Sequence, residues 1–309
     1  MDLLLRKEKA SVHDSSASAP GSLMLMGEHA VLQGSSAISC AVTSRMHVSL
    51  KRLKNKKLII HSALGTYESS IDNIAPDPRF RFVLACFDGQ QEGLELTIES
   101  EFSHTVGLGS SAAVTVATLG ALLGPKIDRL ILFQKSVEVV RRVQKIGSGA
   151  DVAASIFGGA VFYRMDPLVI EPLSTLLPLT LIYSGSKMTT IEVINRVLEA
   201  REMHPTHFGT LFNLMDQLTH EAKRVIIDHD LKALGALFNL HHGLQEALGT
   251  ANRSLAEIVH LLREHPSIYG AKISGSGLGD CCIGLGACEL QSAYQQIPVA
   301  MSLEGVKIS

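Results

Sequence analysis

The chain has 309 residues, of which 46% are hydrophobic and 19% charged, and its formal net charge at pH 7 is -2. A chain of this length and composition can bury a substantial core in about two domains. The near-neutral charge argues against a nucleic-acid-binding protein, and the lack of a long apolar run argues against a membrane span. Five cysteines without metal-ligand spacing, and an N-terminus unlike a secretion signal, predict a cytoplasmic protein with reduced thiols.

The first half of the chain is predicted to place early strands, in a mixed or antiparallel sheet, before later helices. A strand begins at residue 22 and ends in a glycine turn, and further strands are predicted over residues 36–53, 56–69 and 94–100. Apolar periodicity predicts helices over residues 110–123 and 128–146. Residues 147–164 then predict a glycine turn, a short helix, a glycine pair and a strand.

The second half is predicted to contain more helix than strand. Residues 166–173 are a candidate domain boundary, and a strand over residues 179–185 follows. Helices are predicted over residues 189–203, 206–228, 231–248 and 254–264, and residues 270–287 predict two strands joined by a glycine turn. The chain is therefore expected to be an α+β protein with domains over residues 1–165 and 166–309.

Four small residues precede the helix predicted over residues 110–123: Gly107, Gly109, Ser110 and Ser111. Glycines allow a backbone to approach a ligand closely, and a helix N-terminus offers free N–H groups and partial positive charge, so the pattern favours a phosphate site. A tight turn with a serine cap fits these residues equally well. Rossmann and Walker patterns fail, so backbone amides and hydroxyls would bind the phosphate, with Ser111 near a nucleotide-borne Mg²⁺ ion.

Two further glycine-rich segments carry polar residues. Glu28 and His29 end the first apolar strand, where they can satisfy each other as a buried pair or orient a polar substrate. Asp151 follows a glycine turn, where it can cap a helix or orient a substrate hydroxyl during phosphoryl transfer. The loop over residues 274–280 alone predicts a glycine hairpin, but its occurrence together with the glycine loops in residues 20–34 and 104–123 favours a shared site.

Four motifs in this order resemble the GHMP kinase superfamily of small-molecule kinases. They read PGSLMLMGEHAVLQG from residue 20, GLGSSAAVTVA from 107, GSGADVAASIFGG from 147 and AKISGSGLGDC from 271. The resemblance implies a two-lobed α+β fold that binds ATP between its lobes. It implies a ribosomal-protein-S5-domain-2-like N-terminal lobe over residues 1–165 and a ferredoxin-like C-terminal lobe over residues 166–309.

Within the superfamily, GEHAVLQG and residues 243–265 resemble the mevalonate kinase family, whereas residues 147–159 and 271–281 are closer to phosphomevalonate kinases. The favoured implication is ATP- and Mg²⁺-dependent phosphorylation of the primary hydroxyl of mevalonate. Mevalonate 5-phosphate is the alternative acceptor, and a non-catalytic nucleotide-binding regulator is the alternative from another functional class. The partner implied is a small molecule, without nucleic acid or membrane; a homodimer is compatible with the family, although the residues do not determine the oligomeric state.

The resemblance also implies roles for individual residues. Asp151 would be the catalytic carboxylate, and Ser111 would lie near Mg²⁺. The ATP contacts implied are Gly107, Leu108, Gly109, Ser110, Ser111 and Ala112. The substrate-side residues implied are Glu28, His29, Thr190, Ser274, Gly275 and Gly277.

Two departures from the family pattern concern charge. Ser22 stands where the first motif of the family carries a lysine that neutralises charge at the reacting centre, and Lys145 is a candidate replacement. The family's Mg²⁺-binding glutamate would fall at Val140, which leaves Glu138 as a weaker candidate metal ligand.

Overall fold

Two β-sheets organise the computed structural model, which describes residues 15–103 and 107–309. The larger sheet contains β1 (Ser15–Met26), β2 (Ser36–Leu53), β3 (Lys57–Ser62), β4 (Gly65–Ser70), β5 (Gly93–Ser100), β6 (Ala160–Arg164), β7 (Val169–Pro172) and β12 (Lys307–Ile308). The smaller sheet contains β8 (Leu179–Tyr183), β9 (Gly270–Ser274), β10 (Cys281–Leu285) and β11 (Gln295–Ile297). The pairing is antiparallel except between β3 and β5, so the larger sheet is mixed, as predicted.

Helices cover these sheets and connect them. They are α1 (Arg81–Leu84), α2 (Ser110–Leu123), α3 (Arg129–Gln144), α4 (Ala150–Phe157), α5 (Thr190–Met203), α6 (Pro205–Ile227), α7 (Leu231–Ala247) and α8 (Arg253–Glu264). Short 3-10 turns occupy Ala30–Gln33 and Ala85–Phe87. Across the described residues, no helix combines the length and apolar character needed to cross a bilayer.

Strand β2 is the central strand of the larger sheet and pairs with three others. Its first five residues pair with β6, residues 46–53 pair with β5, and β1 runs along most of its length. The register of β1 against β2 shifts between Pro20 and Ser22 and again between Met24 and Met26. Such bulges bend a strand and redirect its side chains. Here they fall on the segment that carries Ser22 toward the start of α4.

A continuous core joins the two sheets. Alanine-rich α2 packs on β1 and β2, and its small side chains allow close helix–sheet contact. One buried cluster contains Leu23 and Ile38 from the larger sheet, Leu181 and Ile283 from the smaller sheet, and Phe238 from α7. Because this cluster spans both sheets, it fixes the end of β1 relative to β9 and β10.

The predicted α+β class is confirmed, and the strand over 36–53 and the helix over 110–123 have the predicted bounds. Residues 56–69 form a two-stranded hairpin, β3 and β4, because the chain turns back between Ser62 and Gly65. The short strands β7 and β12 were not predicted from the sequence. Both follow residue 165 yet pair within the larger sheet, so the chain crosses between the two sheets more than once.

Candidate active site

A cleft brings together the end of β1, the N-termini of α2, α4 and α5, and the loop between β9 and β10. Apolar side chains from the 3-10 turn Ala30–Gln33 and from α3 complete its wall. Its polar and charged lining residues include Ser22, Glu28, His29, Ser110, Ser111, Gln144, Asp151, Lys187, Thr190, Ser274, Ser276 and Asp280. Residues far apart in the chain therefore form one polar site.

The N-terminus of α2 opens onto this cleft. Gly109 is its N-cap in the left-handed conformation, with φ of 62°, and Ser110 and Ser111 form the first turn. The N-cap is therefore a glycine, and the alternative of a tight turn with a serine cap is wrong. A Cβ on Gly109 would also collide with the Ser22 hydroxyl, so the position needs glycine for both its backbone and its surroundings. The start of the helix consequently presents backbone N–H groups and two hydroxyls to the cleft.

Asp151 enters the cleft from the first turn of α4, after Gly149 at the N-cap. The Ser22 hydroxyl, on a side chain that is 1% exposed, donates a hydrogen bond of 2.9 Å to Asp151 Oδ1. The protein packed around Asp151 raises the pKa of its carboxyl, the nearby Glu28 charge adds to this, and the Ser22 hydrogen bond opposes it. A desolvated carboxylate with one fixed donor suits a group that orients and deprotonates a hydroxyl.

His29 ties the end of β1 to the loop between β9 and β10. Its backbone has φ of 63°, which is unusual for a residue with a side chain. Its Nε2 lies 2.8 Å from the carbonyl oxygen of Ser276. Because a carbonyl only accepts, Nε2 carries the proton, and burial lowers the pKa of His29 so that the ring is neutral.

Glu28 is held by a buried ion pair. Its carboxylate accepts a hydrogen bond from Lys272 Nζ on β9, and the same ammonium donates to the Ile273 carbonyl at 2.5 Å. Burial alone would raise the pKa of Glu28, but the Lys272 charge and hydrogen bond hold it below its usual value. The alternative in which Glu28 and His29 satisfy each other is therefore wrong, because Glu28 bonds to Lys272 and His29 to the Ser276 carbonyl.

His241 of α7 completes the buried group behind Glu28. Its Nε2 accepts the Gly27 backbone N–H at 3.0 Å and lies 3.6 Å from Glu28 Oε2. Burial lowers the pKa of His241 to about 3, so the ring is neutral at physiological pH. Sequence reasoning missed both Lys272 and His241. The one signal was a lysine inside the apolar strand GAKIS, which a buried partner explains.

Most of the residues predicted from the sequence do meet in the cleft. They are Glu28, His29, Gly107, Gly109, Ser110, Ser111, Ala112, Asp151, Thr190, Ser274 and Gly275. Thr190 lies in the first turn of α5, and Thr189 caps that helix through a reciprocal bond pair with Glu192. Thr190, which the sequence analysis took only from the family resemblance, thus lines the same cleft as the residues of the glycine segments.

Three predicted residues are not brought to the cleft. Leu108 is a core residue whose carbonyl accepts the Ser22 N–H at 3.0 Å. Gly277 packs against the backbone of Thr250. Glu138 is exposed and lines a surface depression with Arg141 and Tyr163, whereas Val140 of the same helix lies on the cleft. Residues two apart on a helix point in different directions, which separates Glu138 from Val140.

The buried pair gives a direct test of how the cleft is held together. We expect K272M to lower the free energy of unfolding by about 3–5 kcal/mol, because it leaves the Glu28 carboxylate buried without a partner. Denaturant titration measures this, and combining K272M with E28Q should recover part of the loss. K57M is the matched control, since the Lys57–Glu68 pair is more than half exposed and its loss should change little. An equally small effect of K272M would contradict the assignment.

Comparison with known proteins places this geometry in a family. The family models for the N-terminal and C-terminal domains of GHMP kinases match residues 80–159 and 218–297. The mevalonate kinase of Pyrococcus furiosus is 31% identical, over 94% of this chain and 97% of that protein. The mevalonate kinase of Archaeoglobus fulgidus is 34% identical, over 87% of this chain and 91% of that protein. The crystal structure of the Methanococcus jannaschii mevalonate kinase superposes with a TM-score of 0.77 at 21% identity, covering 95% of this chain and 99% of that one. The chain therefore belongs to the GHMP kinases and, among them, to the mevalonate kinase family.

Proposed function

We propose that this protein transfers the γ-phosphoryl group of ATP to the primary hydroxyl of mevalonate. The observation that carries the proposal is the position of Asp151, which shares one cleft with the glycine–serine N-terminus of α2. Phosphoryl transfer requires that a nucleophilic hydroxyl and a bound phosphate be held in line, with charge stabilised around them. A carboxylate facing a phosphate-binding helix end supplies both parts of that requirement. Cytoplasmic location remains a prediction from the sequence, and a homodimer remains compatible with the family resemblance.

The nucleotide is proposed to lie along the start of α2. Backbone N–H groups of Gly109, Ser110 and Ser111 would bind its phosphates, with Gly107 and Ala112 beside them. A second, mainly apolar pocket lies next to the same two serines, and its walls include Phe80, Phe82, Phe102 and Val114. An apolar, aromatic-lined pocket continuous with a phosphate site fits a nucleoside base.

Mg²⁺ fits this site as an ion carried by the nucleotide. Magnesium prefers oxygen ligands, and in phosphoryl-transfer sites it is held by one or two protein groups together with phosphate and water. Among residues 15–103 and 107–309, no three His, Cys, Asp or Glu side chains cluster to form a metal cage. Ser111 is the residue we propose as its protein ligand, since its hydroxyl lies at the helix start, beside the proposed phosphate site. The same hydroxyl accepts a hydrogen bond of 3.5 Å from Gln144 Nε2. When bound, the ion supplies neutralisation of phosphate charge.

The acceptor side is proposed to use Asp151 and the polar residues around it. Asp151 would accept the hydrogen bond of the attacking hydroxyl and then its proton, while the Ser22 bond keeps the carboxylate in place. Glu28, His29 and Thr190 line the same space and would bind the remaining polar groups of the substrate. Thus the chain holds the alcohol from one side and the phosphate from the other.

The charges of the cleft favour mevalonate over mevalonate 5-phosphate. Among the described residues that line it, Lys187 is the single lysine or arginine. A second phosphate would bring additional negative charge, which proteins usually meet with further basic side chains. Arg142 is instead paired with Asp88 on the surface, and Arg196 is exposed on α5 outside the lining of the cleft. The smaller charge of mevalonate therefore fits better.

The acceptor is tested by ADP release coupled to a reporter reaction, with ATP and Mg²⁺ present. We expect turnover with mevalonate and no more than a small fraction of that rate with mevalonate 5-phosphate. The reverse preference would assign the protein to the phosphorylated acceptor. Nucleotide binding without turnover on either compound would favour a non-catalytic regulator.

Removal of the carboxylate tests the role of Asp151. D151N should remove most turnover, because the amide cannot accept the proton, and should leave nucleotide affinity nearly intact. Steady-state kinetics and calorimetry with a non-hydrolysable ATP analogue measure the two effects. D128N is the matched control, since Asp128 caps α3 at an exposed site and asparagine is an equally good cap. A D151N enzyme that retains more than about a tenth of the rate would contradict the role.

The Ser22–Asp151 hydrogen bond predicts a pH effect. Turnover requires ionised Asp151, so it should fall as the pH drops through a pKa that lies above the ordinary aspartate value. The Ser22 bond stabilises the charged form, so S22A should raise this pKa and move the acidic limb of the kcat/KM profile for mevalonate, which reports the enzyme before the acceptor binds, to higher pH. T190A changes another cleft hydroxyl and should leave the limb in place. A limb that S22A moves to lower pH, or does not move, refutes the coupling.

A further inference from the structure

The proposed function requires the cleft to bind a triphosphate, whose negative charge would add to that of the carboxylates already in the lining. Glu28, Asp151 and Asp280 contribute three carboxyl groups to its lining, and Ser22 places an uncharged hydroxyl beside Asp151. Lys272 cannot serve a ligand, because it is fully buried and already bonded to Glu28. In the described part of the lining, Lys187 is the remaining permanent cation. Anionic transition states in such sites depend on nearby positive charge.

The backbone of Lys187 is fixed by the opposite loop. Lys187 lies between β8 and α5. Two backbone hydrogen bonds tie the residues just before it to Asp280: the Ser184 N–H donates to the Asp280 carbonyl at 2.8 Å, and the Asp280 N–H donates to the Ser186 carbonyl at 2.6 Å. Gly279 packs so closely that a Cβ there would come within 3.1 Å of Lys187 Cα. The helix that follows is anchored by its own capping box. Lys187 is therefore presented from a firmly held loop.

The side chain of Lys187 reaches the start of the phosphate-binding loop. Its Nζ lies 3.2 Å from Asp280 Oδ2, with 36% of the lysine side chain exposed. A Cβ on Gly107 would come within 2.6 Å of the Asp280 carboxylate, so this carboxylate lies directly against the loop before α2. The Asp280 carboxylate therefore contacts both the Lys187 ammonium and the backbone at Gly107. Lys145, the replacement cation suggested by the sequence, caps the exposed end of α3 and does not line the cleft.

We propose that Lys187 supplies the positive charge that neutralises the phosphoryl group under transfer, at a site where β1 provides only Ser22. Asp280 holds the ammonium beside Gly107 in the nucleotide-free protein. When the phosphates bind, they replace the Asp280 carboxylate as the partner of Lys187, because they carry more negative charge and face the same ammonium. The proposal rests on the proposed phosphoryl transfer, and it places the neutralising cation in the connection between β8 and α5 instead of on β1.

Three substitutions test this role: K187M removes the charge, K187R keeps it, and K145M removes the charge that the sequence suggested instead. Since Lys187 is partly exposed, K187M should retain the unfolding midpoint of the natural chain. We expect K187M to lower kcat about a hundredfold, while K187R recovers most of the rate and K145M stays within twofold. The Michaelis constant for mevalonate should change little in all three.

Binding provides a readout that does not depend on turnover. Calorimetry with Mg²⁺ should show at least tenfold weaker binding of the non-hydrolysable ATP analogue AMPPNP to K187M, and a smaller loss for ADP, because the lost contact is to the terminal phosphate. Unchanged AMPPNP affinity would overturn the proposal, and so would a K187M defect confined to the Michaelis constant for mevalonate, which would assign Lys187 to the acceptor. If the natural chain phosphorylates neither acceptor, the proposed acceptor fails, yet the AMPPNP comparison still decides the role of Lys187.

Discussion

The buried ion pair between Glu28 and Lys272 determines how the cleft is assembled. Glu28 lies just beyond Met26, the last residue of β1 in the larger sheet, after the intervening Gly27, and Lys272 lies within β9 in the smaller sheet. Both side chains are essentially excluded from solvent, so each charge depends on the other for its stability. The pair therefore joins the end of β1 to β9, and His29 adds a second link through its bond to the Ser276 carbonyl. The active-site groups are positioned because this junction is fixed.

Two helix N-termini face one small volume because α2 and α4 both pack against β1. The bulged end of β1 packs its Ser22 between Gly109 of the α2 turn and Asp151 of α4. A larger residue at 109 or a displaced β1 would separate the backbone amides at the start of α2 from the Asp151 carboxylate. Phosphoryl transfer is sensitive to such displacement, since most of its catalysis comes from positioning and electrostatics. The glycine of the loop thus serves packing as much as ligand approach.

The departures of this chain from its family's pattern are informative together. Ser22 replaces a cation with a hydroxyl that holds Asp151, and the position expected to carry a metal-binding glutamate is Val140. Both changes remove charged groups from the same region, one positive and one negative. The two departures cancel in formal charge, and Lys187 with Asp280 forms an ion pair in the lining of the cleft.

The sequence by itself determined the α+β class, the course of β2 and α2, and the glycine loops with Asp151, because these depend on local periodicity, helix starts and backbone freedom. It could not determine which distant residues meet. The partners of Glu28 and His29 lie more than 200 residues away, and the strand β12 has only two residues. Positions 138 and 140 lie on the same helix, and only the packing of that helix shows that position 140, not 138, faces the cleft. Those outcomes are decided by tertiary packing, since a buried charge selects its partner by proximity in space and a helix position gains its environment from whatever packs against that face.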